Sequence, residues 1–189
     1  MPQTNTVLVW DPLVRLFHWS LVAGFAVAYL SGDEWLSPHV WSGYLVGVLV
    51  LFRLLWGVVG SRHARFSDFV RGPAKVRDYL RGLLRGEAPR YLGHNPAGGA
   101  MIVLLLLGLV ATTLSGLALY GAADQAGPLA GLVPTGHDWH EALEEVHEVA
   151  ANLTVALVVV HILGVIVSSR LHGENLVRAM INGRKPREV

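Results

Sequence analysis

The chain has no cysteine. That excludes disulfides, iron–sulfur ligation, thiolate metal sites and covalent cofactor attachment through C-x-x-C-H. It also leaves the redox compartment unassigned. Charge is scarce: Asp, Glu, Lys and Arg make up 15% of the 189 residues, against about 25% in a soluble domain. A net charge of +1 gives no case for nucleic-acid binding. No Lys or Arg lies between Met1 and Asp11. The first apolar run therefore lacks the basic leader expected of a cleaved signal peptide, and no convincing A-x-A site follows it. There is no internal repeat or low-complexity tract, and the length suits one domain over residues 1–189.

What is present is apolar. Hydrophobic residues make up 52% of the chain and the mean hydropathy is +0.45. Four runs approach the ~20 residues needed to cross a bilayer: Leu13–Leu30, Val40–Gly60, Ala97–Gly121 and about His147–Val167. They are continuous rather than alternating, so they read as helices and not as strands of a membrane barrel. The expected fold is an all-α, integral membrane four-helix bundle.

Loop charges orient the spans. The Ser61–Asn95 connection holds Arg62, Arg65, Arg71, Lys75, Arg77, Arg81, Arg85 and Arg90, and the tail holds Arg170, Arg178, Arg184, Lys185 and Arg187. The other two connections, Ser31–His39 and Ala122–Val146, hold no Lys or Arg, but carry Asp33, Glu34, Asp124, Asp138, Glu141, Glu144 and Glu145. The positive-inside rule then puts both termini and the Ser61–Asn95 loop in the cytoplasm. Within the basic connection, an amphipathic stretch at about 67–86 is expected to lie on the inner leaflet as an interfacial helix, capped by Ser67 and interrupted at Gly72-Pro73.

Nine histidines in so apolar a chain are unusual. Ionisable residues inside a span are costly and usually functional. His147 and His161 stand at the two ends of the last run, 14 positions apart. At ~100° per residue they share one helix face, ~21 Å apart along the axis. That is too far for one metal ion, and it reads as two ligands to two cofactors at different depths. His39 opens the second run, at the depth of His147; His18 lies near the start of the first run, at the depth of His161. Paired imidazoles from opposite helices are how bis-histidine haem iron is held. Zinc would want further ligands, and no carboxylate accompanies these histidines inside the spans.

Arg53 lies 14 residues after His39 and so shares its face at the level of the second pair. It is a candidate partner for a haem propionate; the competing reading is an arginine snorkelling to the interface. Gly43 and Gly47 make a small face that admits a porphyrin or merely a neighbouring helix. His94, before the third run, is a candidate quinone contact, with Asn95 capping and Pro96 in the first turn. His63 and His172 are expected to be solvated. His137 and His140 are placed just outside the fourth helix, with His140 a rival to His147.

The chain resembles the bacterial cytochrome b561 and nickel–iron-hydrogenase b-type cytochrome family. The matching residues are RLFHW at Arg15–Trp19, HVWSGY at His39–Tyr44, GHNPAGG at Gly93–Gly99 and HEVAANLTVALVVVH at His147–His161. The resemblance covers essentially the whole chain. It implies two non-covalent haem b groups, one held by His39 and His147, the other by His18 and His161. It further implies electron transfer between a quinone pool and a redox partner: a hydrogenase, a dehydrogenase or a c-type cytochrome, periplasmic or in the membrane. Such a chain is an electron-transfer subunit rather than a complete enzyme. Two alternatives stand beside this reading: a stand-alone superoxide:quinone oxidoreductase, as some relatives are, and a metal-ion transporter that uses the histidines.

Overall fold

The computed structural model describes residues 6–32 and 34–187; Asp33 therefore lies outside the described residues. In chain order the elements are β1 (Thr6–Leu8), α1 (Pro12–Ser31), α2 (Leu36–Val59), a 3-10 turn (Arg62–Ala64), α3 (Phe66–Phe69), α4 (Pro73–Arg85), α5 (Pro96–Ala123), α6 (His137–Leu171), α7 (Leu176–Asn182) and β2 (Arg184–Pro186).

Four helices, α1, α2, α5 and α6, are long and apolar enough to cross a membrane, with mean hydropathies of 1.5, 1.9, 2.4 and 2.4. Their apolar side chains mostly point outward: Leu55 is 69% exposed, Val59 75% and Leu107 62%. In water that surface would be costly; in a bilayer the lipid covers it. Helix starts follow local chemistry. The Asp11 carboxylate accepts the Val14 N–H at 2.9 Å, and Pro12 opens α1. As expected, Asn95 accepts the Gly98 N–H at 2.7 Å ahead of Pro96.

Several boundaries differ from the sequence expectation. α6 starts at His137 rather than His147. Hydropathy marks the part of a helix that lipid surrounds, whereas the helix itself continues into the polar His137–Val146 segment. His137 and His140 thus lie inside α6, with Glu141 3.1 Å from His137 and Glu144 3.8 Å from His140, each one turn on. α2 starts at Leu36, not Val40. The interfacial stretch is two helices, broken at Gly72-Pro73, with Arg65 rather than Ser67 at the N-cap of α3.

The chain divides into two compact units. One comprises Met1–Trp19, Phe52–Leu104 and Val159–Val189 and contains the basic connection and tail, so it is the basic end. Here β1 pairs antiparallel with β2, a three-residue ladder that the sequence does not announce. Val9, Trp10 and Ala179 are buried together beneath it. Gly183 caps α7 with φ +80°, and its carbonyl accepts the N–H groups of Val9 and Trp10; a side chain there would stand 2.5 Å from the Trp10 carbonyl oxygen. Glu174 is buried between Lys185, 2.7 Å away, and Arg90.

The other unit comprises Ser20–Leu51 and Leu105–Val158 and contains the two acidic connections. Its core is Val46, Val50 and Leu109, with Leu21, Phe25 and Val110 packed around them.

Candidate functional site

At the acidic end, α2 and α6 bring His39 and His147 together, their ring centroids 5.9 Å apart and the rings nearly perpendicular. It is His147, not His140, that faces His39. His39 Nδ1 lies 2.8 Å from the Ala28 carbonyl. His147 Nδ1 lies 3.0 Å from the Thr112 carbonyl and 3.1 Å from the Ser115 hydroxyl. A carbonyl only accepts, so in both rings Nδ1 carries the hydrogen and donates it. Nε2 is then the lone-pair nitrogen in both, the tautomer a metal ligand needs.

Glycines clear the space around this pair. A side chain at Gly116 would come 2.8 Å from His147 Cε1, so the close approach of α5 to the imidazole requires glycine. Gly43, one turn after His39, faces open space, which suits a porphyrin face. Gly47 faces the Thr113 methyl at 3.0 Å and serves helix packing instead.

At the basic end, His18 and His161 lie within each other's electrostatic reach. His18 Nδ1 is buried without a partner. The Trp19 ring stands edge-on to His18 at 5.1 Å. Arg53 is 4% exposed and does not snorkel to water. Its guanidinium carbon lies 5.0 Å from the Phe66 ring and 5.8 Å from the Phe69 ring, cation–π distances. Nη1 is buried without a partner. The field of Asp11 reaches Arg53, but the Asp11 carboxylate is occupied by the Ser61 hydroxyl at 2.5 Å, Trp56 Nε1 at 3.3 Å and the Val14 N–H. Among the described residues no carboxylate bonds this cation, so its surroundings fit an added anion such as a propionate.

His94 stands between Trp10 at 4.5 Å and Phe69 at 4.7 Å, with Nδ1 buried and unpartnered. Burial, followed by the nearby positive charges of Arg53, Lys185, His63 and His161, pushes its imidazole down to about 3. It is neutral at physiological pH. His63 and His172 are less solvated than their basic flanks imply. His63 Nδ1 is bonded to Asp68 at 3.0 Å, and His172 Nε2 is buried.

The groups that orient His147 are not apparent from hydropathy or histidine spacing. Thr112, Ser115 and Gly116 sit on α5, and the fully buried Thr154 on α6 meets Gly108 and Thr112. A signal for them exists: Gly108, Thr112 and Gly116 recur every four residues, so they line one face of α5. Among the described residues no three His, Asp or Glu side chains cluster in metal-binding geometry. Two donated imidazoles suit an ion whose remaining ligands come with a cofactor, as the iron of haem does.

The sequence profile of the prokaryotic cytochrome b561 family matches residues 9–183. Three relatives are each named as a probable Ni/Fe-hydrogenase B-type cytochrome subunit. The protein of Cupriavidus necator is 25% identical over 216 aligned positions, covering 93% of this chain and 85% of its own. That of Azotobacter vinelandii is 26% identical, covering 95% and 88%. That of Azotobacter chroococcum is 28% identical, covering 72% and 73%. No solved structure matches the chain. The profile match takes in all four membrane-length helices and every histidine discussed, and on that ground the chain belongs to the prokaryotic cytochrome b561 family.

Proposed function

We propose that the chain is a membrane electron-transfer subunit with two haem b groups, passing electrons between quinone at its basic end and a redox protein at its acidic end. Membership of a b-type cytochrome family implies haem b, and the haem supplies one-electron chemistry. The number of haems rests on the histidines. His39 and His147 would hold one iron, His18 and His161 the other. The observation that carries the reading is the shared hydrogen-bond pattern of His39 and His147, which leaves both Nε2 atoms available across a 5.9 Å ring separation. Arg53 would neutralise a propionate of the second haem.

Relatives named as hydrogenase cytochrome subunits support a hydrogenase or similar enzyme as partner. The partner side is the acidic end, where Lys and Arg are absent from both connections. That charge favours a protein with a basic docking patch and repels superoxide, an anion, so it argues for a partnered subunit over a superoxide oxidase. The lysines and arginines at the other end support a cytoplasmic location for both termini.

The test is haem stoichiometry. The purified chain is expected to give two haem b per polypeptide in a pyridine haemochrome assay, all extracted by acid–acetone. One haem per chain, or haem that resists extraction, would overturn the reading.

A further inference from the structure

We propose that α4 docks on the bilayer leaflet at the basic end and selects anionic phospholipids. Leu80 and Leu84 seat among the acyl chains, and Arg77 and Arg81 meet the headgroup phosphates. This goes beyond the electron-transfer reading and does not depend on it.

The packing shows which face of α4 the protein covers. Tyr79 is buried. Its ring meets Tyr91 with centroids 5.9 Å apart, and its hydroxyl lies near Ser168 in the last turn of α6. Gly82 packs on Ala88, where a side chain would stand 3.4 Å from Ala88 Cα. Val76 and Leu83 are half-buried. At ~100° per residue these four positions fill one arc of the helix. The contact with Ser168 places α4 where α6, a helix of membrane length, comes to its end at Leu171.

The next arc has no cover from the protein. Leu80 is 43% exposed and Leu84 89%, the highest value for a large apolar side chain among the described residues. Beyond them round the helix come Arg77, Arg81 and Arg85, four residues apart and so stacked in one row. All three are exposed. Asp78 stands 3.5 Å from Arg77, and among the described residues no carboxylate pairs with Arg81 or Arg85. Exposed leucines bordered by a row of guanidinium groups match a leaflet surface, apolar below and phosphate above. Guanidinium binds phosphate oxygens bidentately. An interfacial helix holds by its apolar area together with attraction to anionic lipid.

The competing role is a solvated basic helix that acts only through its charge. The test has two arms, both on the full haem-loaded chain. Because the chain has no cysteine, a nitrobenzoxadiazole label on Leu84→Cys reports that position alone. The labelled chain is placed in vesicles of phosphatidylcholine, with and without phosphatidylglycerol, each containing a doxyl-lipid quencher. The label should be blue-shifted and quenched, and more so with phosphatidylglycerol. In the second arm, native mass spectrometry of the unlabelled chain in detergent follows its titration with phosphatidylglycerol. Arg77→Gln/Arg81→Gln should weaken binding about 25-fold, at about fivefold for each basic side chain near an anionic surface. Arg170→Gln/Arg178→Gln removes the same charge from the same end, outside α4, and should keep wild-type affinity. Haem content should match wild type in every variant, which separates the effect from misfolding. A label that stays in water in both vesicle types overturns the docking and leaves this face for a protein. Equal quenching in the two vesicle types overturns the selection of anionic lipid. So does an equal loss of affinity in the two arginine pairs, which would mean a diffuse field.

Discussion

Arg53 tests the acidic partner it lacks. It is buried against two phenylalanine rings with an unpartnered Nη1. If a propionate fills that gap, Arg53→Leu leaves a buried carboxylate unpaired, a loss on the order of 3–5 kcal/mol before water or protonation relieves it. The basic-end haem should be lost or become pH-sensitive, while the acidic-end haem keeps its spectrum. Arg53→Lys should rescue only partly, because an ammonium cannot reproduce the planar fork. An unchanged basic-end midpoint in the Leu variant, read by redox titration, would end the propionate role. Asp11 gives a prediction in pH. Burial alone would raise its carboxyl, but the Ser61 hydroxyl, the Val14 N–H and Trp56 outweigh that and hold it below the usual aspartate range. A depressed carboxyl contributes stability above its unfolded value near 3.8 and loses it as pH falls through the folded value. Asp11→Asn should therefore lower thermal stability at neutral pH and weaken the acid-induced loss, as followed by circular dichroism in detergent.

Among the elements, α5 and α6 carry the most specific prediction. Gly116 lets α5 approach His147, and Gly116→Leu would place side-chain atoms where the imidazole now stands. The acidic-end haem should be lost while the other remains, as for His39→Ala and His147→Ala. His18→Ala and His161→Ala should remove only the basic-end haem. Spectra in which His39 and His161 behave as one site would contradict this pairing. The long helices were legible in the sequence because an unbroken apolar run of bilayer length is far longer than a buried strand and too apolar for a helix with a wet face. Helix polarity and a 3.6-residue period put His39 at the level of His147 from spacing alone. The rest depended on contacts that leave no periodic trace. Phe66 and Phe69 reach Arg53 from a connection whose arginines dominate its composition. The β1–β2 ladder joins three residues at each end of the chain, too short for an alternation to register. The polar start of α6 sets His137 beside Glu141 and His140 beside Glu144 at helical spacing, to which a hydropathy window is blind.

For the whole molecule, the charge asymmetry predicts topology: periplasmic reporters fused at the C-terminus should be inactive and cytoplasmic ones active. The basic end is also tied together by Glu174 between Lys185 and Arg90. Glu174→Gln removes the carboxylate shared by buried Lys185 and half-buried Arg90, which keep only their bonds to backbone carbonyls, and should lower thermal stability in detergent while the haem spectrum is retained in the folded fraction. If the paired histidines hold haem iron, their unequal hydrogen bonding would bear on its potential. His39 and His147 donate Nδ1–H to carbonyls, which would make both rings stronger donors to a bound iron and favour its ferric state. His18 Nδ1 has no such acceptor among the described residues, which would leave its ring a weaker donor and favour ferrous iron. With the proposed ligands, the basic-end haem would have the higher midpoint, which a redox titration would read. If both pairs hold haem, an electron would then run downhill from the one on His39 and His147 to the one on His18 and His161.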